Sequence, residues 1–233
     1  YKKLYKDLGM CKQKMHSEMN SSHLWTIPEQ LRIKLLGSRN VDLMSHTYGH
    51  VYSNSKDLSD AFVEDWRCWV NQDLPKVKGI IFPRNIYSNE LLQFVADKGI
   101  LYYRAKSLST NFFRKCLRLI DDYLPFVFNL KEVEVLNSKP LGISDSYFLR
   151  PDIGIGFIDN LKWYKAKLRL RYAMKVNVDV HFWCHPHNFA KFRKSIDRWR
   201  KFADIINSHA KDGLQSVNIN DYYESIVARQ RVS

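Results

Sequence analysis

The amino-acid sequence predicts an α/β protein with a mostly parallel sheet or barrel. Short apolar runs alternate with longer segments in which apolar residues recur at helical spacing, a rhythm typical of such folds. The chain has 233 residues, of which 45% are hydrophobic and 14% aromatic, so it can bury a core and is not a disordered chain. Active sites in these folds lie at the carboxyl ends of the strands, so the residues that follow each strand matter most.

Short apolar runs predict the strands. The predicted strands are residues 40–45, 78–82, 100–103, 178–183 and 216–219. Pro83 directly follows the second run and ends it, because proline has no backbone N–H to donate to a sheet. The run at 178–183 alternates weakly between apolar and polar residues, which indicates a half-buried strand.

Helices are predicted where apolar residues recur every three or four positions. Ile27, Leu31 and Leu35 show this spacing, while Gly99 and Pro125 are stop signals for two later helices. The predicted helices are residues 28–36, 60–70, 89–98, 110–124, 158–176, 189–210 and 221–229. Strands and helices therefore alternate along most of the chain.

The charge balance leaves several partners open. Lys and Arg total 37 against 24 Asp and Glu, a net charge of +13. Such an excess suits a nucleic-acid surface, an anionic membrane, an acidic substrate or a well-solvated exterior. No run of 18 apolar residues is present, so we expect no transmembrane segment, although peripheral contact with a membrane surface is compatible with the charge. No signal peptide is evident either.

The four cysteines give no disulfide or zinc pattern. They are Cys11, Cys68, Cys116 and Cys184, and none belongs to a C-x-x-C pair. Four cysteines in 233 residues are too few for a disulfide scaffold. We therefore expect reduced, buried thiols in a cytoplasmic protein.

Polar clusters follow three of the predicted strands. They are residues 45–50, 82–85 and 182–188, and two of them contain pairs of histidines. Neutral imidazole is the commonest ligand of transition metals in proteins. His46 and His50 are four positions apart and could bind one metal ion if the segment makes a helical turn, or they could satisfy local hydrogen bonds instead.

Taken together, these clusters resemble the polysaccharide deacetylase family, the NodB homology domain of carbohydrate esterase family 4. His46-Thr47-Tyr48-Gly49-His50 matches the family's H-[S/T]-x-x-H metal motif, and Phe82-Pro83-Arg84-Asn85 matches an F-P-R-N form of its arginine motif. Residues 183–188 (WCHPHN) resemble the W-x-H-P-H-N closing motif of a subgroup tied to bacterial surface-polysaccharide modification. Residues 99–104 and 147–151 are also similar to that subgroup, and the resemblance spans about residues 25 to 225.

The resemblance implies a NodB-type deformed (β/α) barrel and metal-dependent removal of N- or O-acetyl groups from a bacterial cell-surface polysaccharide or its precursor. It implies that His46 and His50 bind a divalent metal, with zinc expected and other ions open. Arg84 would hold the general base in place, and His185 would act as general acid. The substrate-binding residues implied are His187, Trp183, Asn85, Tyr48 and Arg150.

The sequence departs from the family at its first motif, two adjacent Asp residues that supply the general base and a metal ligand. Upstream of His46 only Asp7 and Asp42 occur, and Asp121-Asp122 lies late, where a solvated helix face explains it. In one interpretation, residues 1–233 are a single deacetylase-like domain that is N-terminally incomplete and lacks its first strand-helix-strand unit. In the other, the chain is a catalytically inactive carbohydrate-binding relative.

A nucleic-acid-binding protein is the third interpretation, although no nucleic-acid motif accompanies the charge and we expect no such partner. Basic residues concentrate on two predicted helices, where several share a helical face. They are Lys162, Lys165, Lys167, Arg169, Arg171 and Lys175, then Lys191, Arg193, Lys194, Arg198, Arg200 and Lys201. Apolar residues interleave with them, which suits helices that pack on a sheet and expose their charges to water.

Overall fold

The structure, a computed structural model, describes residues 38, 41–47, 60–70, 76–106, 132–185 and 192–232. Contacts divide the chain into two units, Tyr1–Asp42 and Leu43–Ser233. In the described part of the first unit, the Val41 N–H donates to the Ser38 carbonyl at 3.3 Å. All elements below belong to the second unit.

Helices and short strands alternate through the second unit. The helices are α1 (Asp60–Val70), α2 (Asn89–Asp97), α3 (Gly156–Val176), α4 (Arg193–Ser208) and α5 (Ile219–Val232). The strands are β1 (Gly79–Ile80), β2 (Tyr102–Ala105), β3 (Val135–Leu136), β4 (Leu141–Ser144), β5 (Tyr147–Phe148) and β6 (Phe182–Trp183). Single 3-10 turns cover Pro83–Asn85 and His209–Asp212. The mixed α/β class is confirmed, and the strands described here do not close into a barrel.

Two small sheets carry the fold. The first has the order β1-β2-β4-β3, in which β1, β2 and β4 are parallel and β3 is antiparallel to β4. The second pairs β5 with β6 in parallel. Parallel strands end at the same edge of a sheet, so the residues that follow Ile80, Ala105 and Ser144 lie at a common edge.

Among the described residues of the run predicted as the first strand, the last one pairs with the sheet backbone. Ser45 bridges Ile80 in parallel; its N–H donates to the Gly79 carbonyl at 3.0 Å, and its own carbonyl accepts from Ile81 N–H at 2.7 Å. Residues 41–44 form no strand, contrary to the sequence prediction. The single bridge is nevertheless enough to place His46 beside the carboxyl end of β1.

The buried hydrophobic residues described here form three clusters, two of which pack against the first sheet. Leu91 and Val95 of α2 pack with Phe82 in one cluster, which matches the four-residue spacing of a helical face. A second cluster joins Tyr102 and Ile143 to α5, and a third joins α3 to α4. Fully burying one such side chain contributes about 1.5–3 kcal/mol, so these clusters hold the strand ends in register.

The helix predictions hold where the structure describes them, but a second predicted strand, at residues 216–219, is wrong. Helix α1 matches its predicted bounds, α2 and α3 differ by one or two residues, and α4 is shorter than predicted. Residues 216–218 form no strand, and Ile219 begins α5. The reason is a cap: the Asn218 side-chain oxygen accepts from the Asp221 N–H at 2.8 Å, which starts a helix. The predicted helices 28–36 and 110–124 lie outside the described residues.

The basic residues of α3 do not all face water, contrary to the expected solvated exterior. Lys162, Lys165 and Arg169 are buried, while Arg171 and Lys175 are exposed. A continuous cationic face for nucleic acid is therefore not formed on this helix. The helices of the described part also include none that is long and apolar enough to cross a membrane.

A buried carboxylate explains part of this inward charge. The Asp152 side chain is 1% exposed and lies in contact with both α3 and α4. It accepts from Lys162, from Trp163 Nε1 at 3.2 Å, from Ser195 Oγ at 2.7 Å and from Arg198 Nη1 at 2.7 Å. Burial alone would raise the pKa of Asp152, but the hydrogen bonds from Lys162 and Ser195 and the Lys162 charge outweigh it and lower that pKa.

The same network fixes the loop that follows β5. Lys162 Nζ also donates to the Arg150 carbonyl at 2.7 Å. Asp159, near the start of α3, accepts from the Ile153 and Gly154 N–H groups at 2.9 and 3.1 Å. Residues 150–154 are thus held by ionic side chains of the helices, and this sets where Arg150 lies.

Candidate functional site

His46 lies just beyond the bridge between Ser45 and β1. Its Nδ1 is 2.7 Å from the Ile81 carbonyl oxygen, which can only accept, so Nδ1 carries a proton; in the neutral ring the lone pair is then on Nε2. Thr47 follows with a φ of +63°, a left-handed conformation that is unusual for a β-branched residue. Such backbone outliers concentrate at functional sites. Tyr48, His50 and His187 lie outside the described residues.

The residues after β1 form a tight turn that projects a basic side chain. Pro83–Asn85 is a 3-10 turn in which Arg84 and Asn85 have φ values of +56° and +53°. Phe82 and Pro83 are buried and anchor the turn, while Arg84 is exposed. Asparagine tolerates the left-handed region better than most residues, but an arginine there is uncommon. The sequence therefore holds Arg84 in a strained position at the strand end.

Arg104, at the end of β2, connects this turn to the other sheet. Its Nε and Nη2 donate to the Asn85 Oδ1 at 3.2 and 3.1 Å. Its guanidinium carbon lies 4.4 Å from the centre of the Trp183 ring, within the range of a cation–π contact. Burial lowers the pKa of Arg104, and the nearby Asp145 charge opposes that shift. Arg104 was not among the residues predicted for the site.

Trp183 and His185 form the closing side of the site. Trp183, in β6, stacks on Phe148 of β5 with ring centres 4.3 Å apart. His185 is exposed and meets the Trp183 ring edge-on at 5.3 Å and the Phe148 ring at 5.8 Å. The Arg150 guanidinium lies 5.9 Å from the Phe148 ring. These contacts bring together residues 147–151 and 183–188, the two segments of this sheet that the sequence singled out.

A second histidine lies deeper, between the two sheets. His181 Nδ1 is 3.3 Å from the Ser144 carbonyl oxygen, at the carboxyl end of β4. Burial lowers the pKa of His181, and the Arg104 charge acts in the same direction, whereas the Ser144 hydrogen bond and the Asp145 charge oppose it. A neutral imidazole is therefore favoured there. Neither His181 nor Asp145 was predicted from the sequence.

Cys184 sits between two site residues but is not suited to nucleophilic catalysis. It is a half-buried free thiol, and burial raises its pKa, which disfavours the reactive thiolate. Cys68 is also a free thiol. The sequence predicted buried thiols, whereas Cys68 and Cys184 are both half-buried.

The described residues contain only part of the predicted metal site. No group of three or more His, Cys, Asp or Glu that could hold a metal ion occurs among them. His46 has the chemistry of a ligand, because a backbone carbonyl that accepts from one ring nitrogen orients the other toward a metal in many proteins. The predicted partner His50 lies outside the described residues.

The structure therefore brings together Asn85, Arg150, Trp183 and His185 through rings and hydrogen bonds, and places His46 and Arg84 near the end of β1. Comparison with protein-family models, with curated proteins and with solved structures gives no match for this chain. Its function is inferred here from the residues and from their geometry.

Proposed function

We propose that this chain belongs to a metal-dependent deacetylase that hydrolyses N- or O-acetyl groups on a bacterial cell-surface polysaccharide or its precursor, on a NodB-type barrel. One observation carries the proposal: contacts run from Asn85 through Arg104 and Trp183 to His185. Motifs that are far apart in the sequence thus converge at strand ends, where α/β enzymes keep their active sites.

His46 and His50 would hold the divalent metal, and zinc suits two imidazoles with a carboxylate. When bound, such an ion polarises a carbonyl and lowers the pKa of a coordinated water. The hydrogen bond from His46 to the Ile81 carbonyl would keep the imidazole in one orientation, with Nε2 as the donor atom.

The remaining side chains would bind the sugar and move protons. His185, exposed at the end of β6, would protonate the leaving nitrogen or oxygen as the general acid. Arg84 would orient the carboxylate base. The sugar site would be lined by Asn85, Arg150, Tyr48, His187 and Trp183. Trp183 also contacts Phe148, Arg104 and His185, so it would hold these three side chains in place.

Metal content tests the ligand assignment. The full-length protein should contain about one divalent ion per chain, and His46→Ala or His50→Ala should each lose it. His209→Ala is the matched control, since His209 pairs with Asp212 on a separate turn and should leave the metal content unchanged. Metal retained in both ligand variants would overturn the assignment.

Carbohydrate binding without hydrolysis is the second candidate function, because the sequence has no Asp-Asp motif upstream of His46. A catalytically inactive relative would keep the fold and bind carbohydrate without hydrolysing it. Calorimetry with N-acetylglucosamine oligomers, followed by an acetate assay on the same samples, separates the two. Binding without acetate release supports the inactive relative, and acetate release supports the enzyme.

A further inference from the structure

We propose that Arg104 is a positioning residue that holds the two halves of the site in one arrangement, an inference that rests on the proposed function. Asn85 belongs to the turn after β1 in the four-stranded sheet, and Trp183 belongs to β6 in the two-stranded sheet. The sheets are also linked deeper in the fold, where His181 Nδ1 lies 3.3 Å from the Ser144 carbonyl oxygen. Arg104 instead joins the site residues Asn85 and Trp183 directly.

The shape of the guanidinium group explains why arginine is needed here. Its Nε and Nη2 share a single acceptor, the Asn85 Oδ1, at 3.2 and 3.1 Å. At the same time the planar group lies 4.4 Å from the Trp183 ring centre. A lysine ammonium can retain the charge, but it has neither the fork nor the flat face, so it cannot make both contacts in this way.

Each contact leads to a residue with a proposed chemical role. Asn85 directly follows Arg84, and both have left-handed backbone conformations that need support from neighbouring groups. Trp183 meets His185 edge-on at 5.3 Å, so a tilt of the indole would move the imidazole. Arg104 is half-buried, and the negative charge of Asp145 favours the charged form of its guanidinium group.

Nuclear magnetic resonance of His185 tests this role without any assay of activity. The Trp183 and Phe148 rings should displace the His185 Cε1–H resonance by their ring currents, and His185→Gln identifies that resonance. In Arg104→Gln and in Arg104→Lys the resonance should move toward the position of an exposed histidine. Arg200→Gln, at an exposed position on α4, is the control and should leave it in place.

Two further measurements keep the result decisive. Thermal unfolding of each variant shows whether the fold is retained, and the charge-conserving Arg104→Lys serves if Arg104→Gln does not fold. Acetate release should show kcat lowered by about tenfold to a hundredfold with KM little changed, as expected for misplaced groups. A His185 resonance that stays at its original position in folded Arg104 variants would overturn the proposal. If the unmodified protein releases no acetate, the deacetylase function fails, while the resonance still decides the role of Arg104.

Discussion

The Arg104 guanidinium donates two hydrogen bonds, from Nε and Nη2, to the single side-chain oxygen of Asn85. This pair joins the turn after β1 to the end of β2, at the edge where the parallel strands finish. The same turn exposes Arg84, so the hydrogen bonds fix the backbone from which that side chain projects. A hydrogen bond to a charged group contributes about 1.5–3 kcal/mol, roughly twice a neutral one.

Substitutions at Asn85 separate this hydrogen bonding from backbone strain. Asn85→Gly removes the acceptor but tolerates a φ of +53°, so it should lower the free energy of unfolding by about 1–2 kcal/mol. Asn85→Ala also adds the steric cost of the left-handed region, about 1 kcal/mol more. Urea unfolding of the two variants measures both terms. Equal losses would show that backbone strain does not contribute.

Removal of the Asp152 charge should be among the most destabilising changes in the chain. In Asp152→Asn, the partly buried cations Lys162 (7% exposed) and Arg198 (16% exposed) lose their shared counter-ion. Breaking a buried pair from one side costs about 3–5 kcal/mol. Asp197→Asn is the control, because its partner Arg200 is 73% exposed and such pairs contribute at most about 1 kcal/mol. Similar midpoints of chemical unfolding in the two variants would contradict the buried network.

Acid should weaken the fold through the same carboxylate. The pKa of Asp152 is lower in the folded protein than its usual value, so its contribution is present above the unfolded pKa and is lost as pH falls through the folded one. Stability should therefore decrease below about pH 4. Asp152→Asn should show a shallower decrease over that range. Parallel curves for the two proteins, measured by unfolding at several pH values, would exclude Asp152 as the source.

The close approach of β1 to its neighbours makes a small substitution costly. A Cβ at Gly79 would overlap Tyr102 Cε2 and lie 2.7 Å from Met44 Cε. Gly79→Ala should therefore cost about 1–3 kcal/mol in thermal unfolding, as overpacked cores do. Gly156→Ala is the matched control, because a Cβ there meets nothing within 4 Å. Equal melting temperatures for the two variants would show that the side chains around Gly79 can move aside without loss of stability.

The sequence predicted the part of the site that local patterns can reveal. Apolar runs located β1 and β6, and the candidate residues chosen at or just beyond their ends, Arg84, Asn85, Trp183 and His185, do lie at strand ends. Arg104 directly follows the strand predicted at residues 100–103 and lies in the segment 99–104 that resembles the subgroup, but no role was predicted for it. Its importance depends on contacts with Asn85 and Trp183, which belong to other segments of the chain.

Asp145 and His181 were missed for a different reason. β4, Leu141–Ser144, contains a glycine and a serine among its four residues, so no apolar run marks it. Gly142 is needed there because a Cβ would lie 2.9 Å from the Tyr103 hydroxyl. Without that strand, the rule that polar residues follow strand ends could not be applied to Asp145. His181 precedes β6, and only the pairing of sheets shows that it faces Ser144.

Acetate release tests the central proposal most directly. The full-length protein should be supplied with zinc and incubated with two probes, N-acetylglucosamine oligomers and O-acetylated xylan, with acetate quantified over time. We expect release from at least one probe and a loss of about 10²–10⁴-fold in kcat for His185→Ala, the contribution usual for a general acid. The absence of acetate from both probes, or equal release by His185→Ala, would contradict the account.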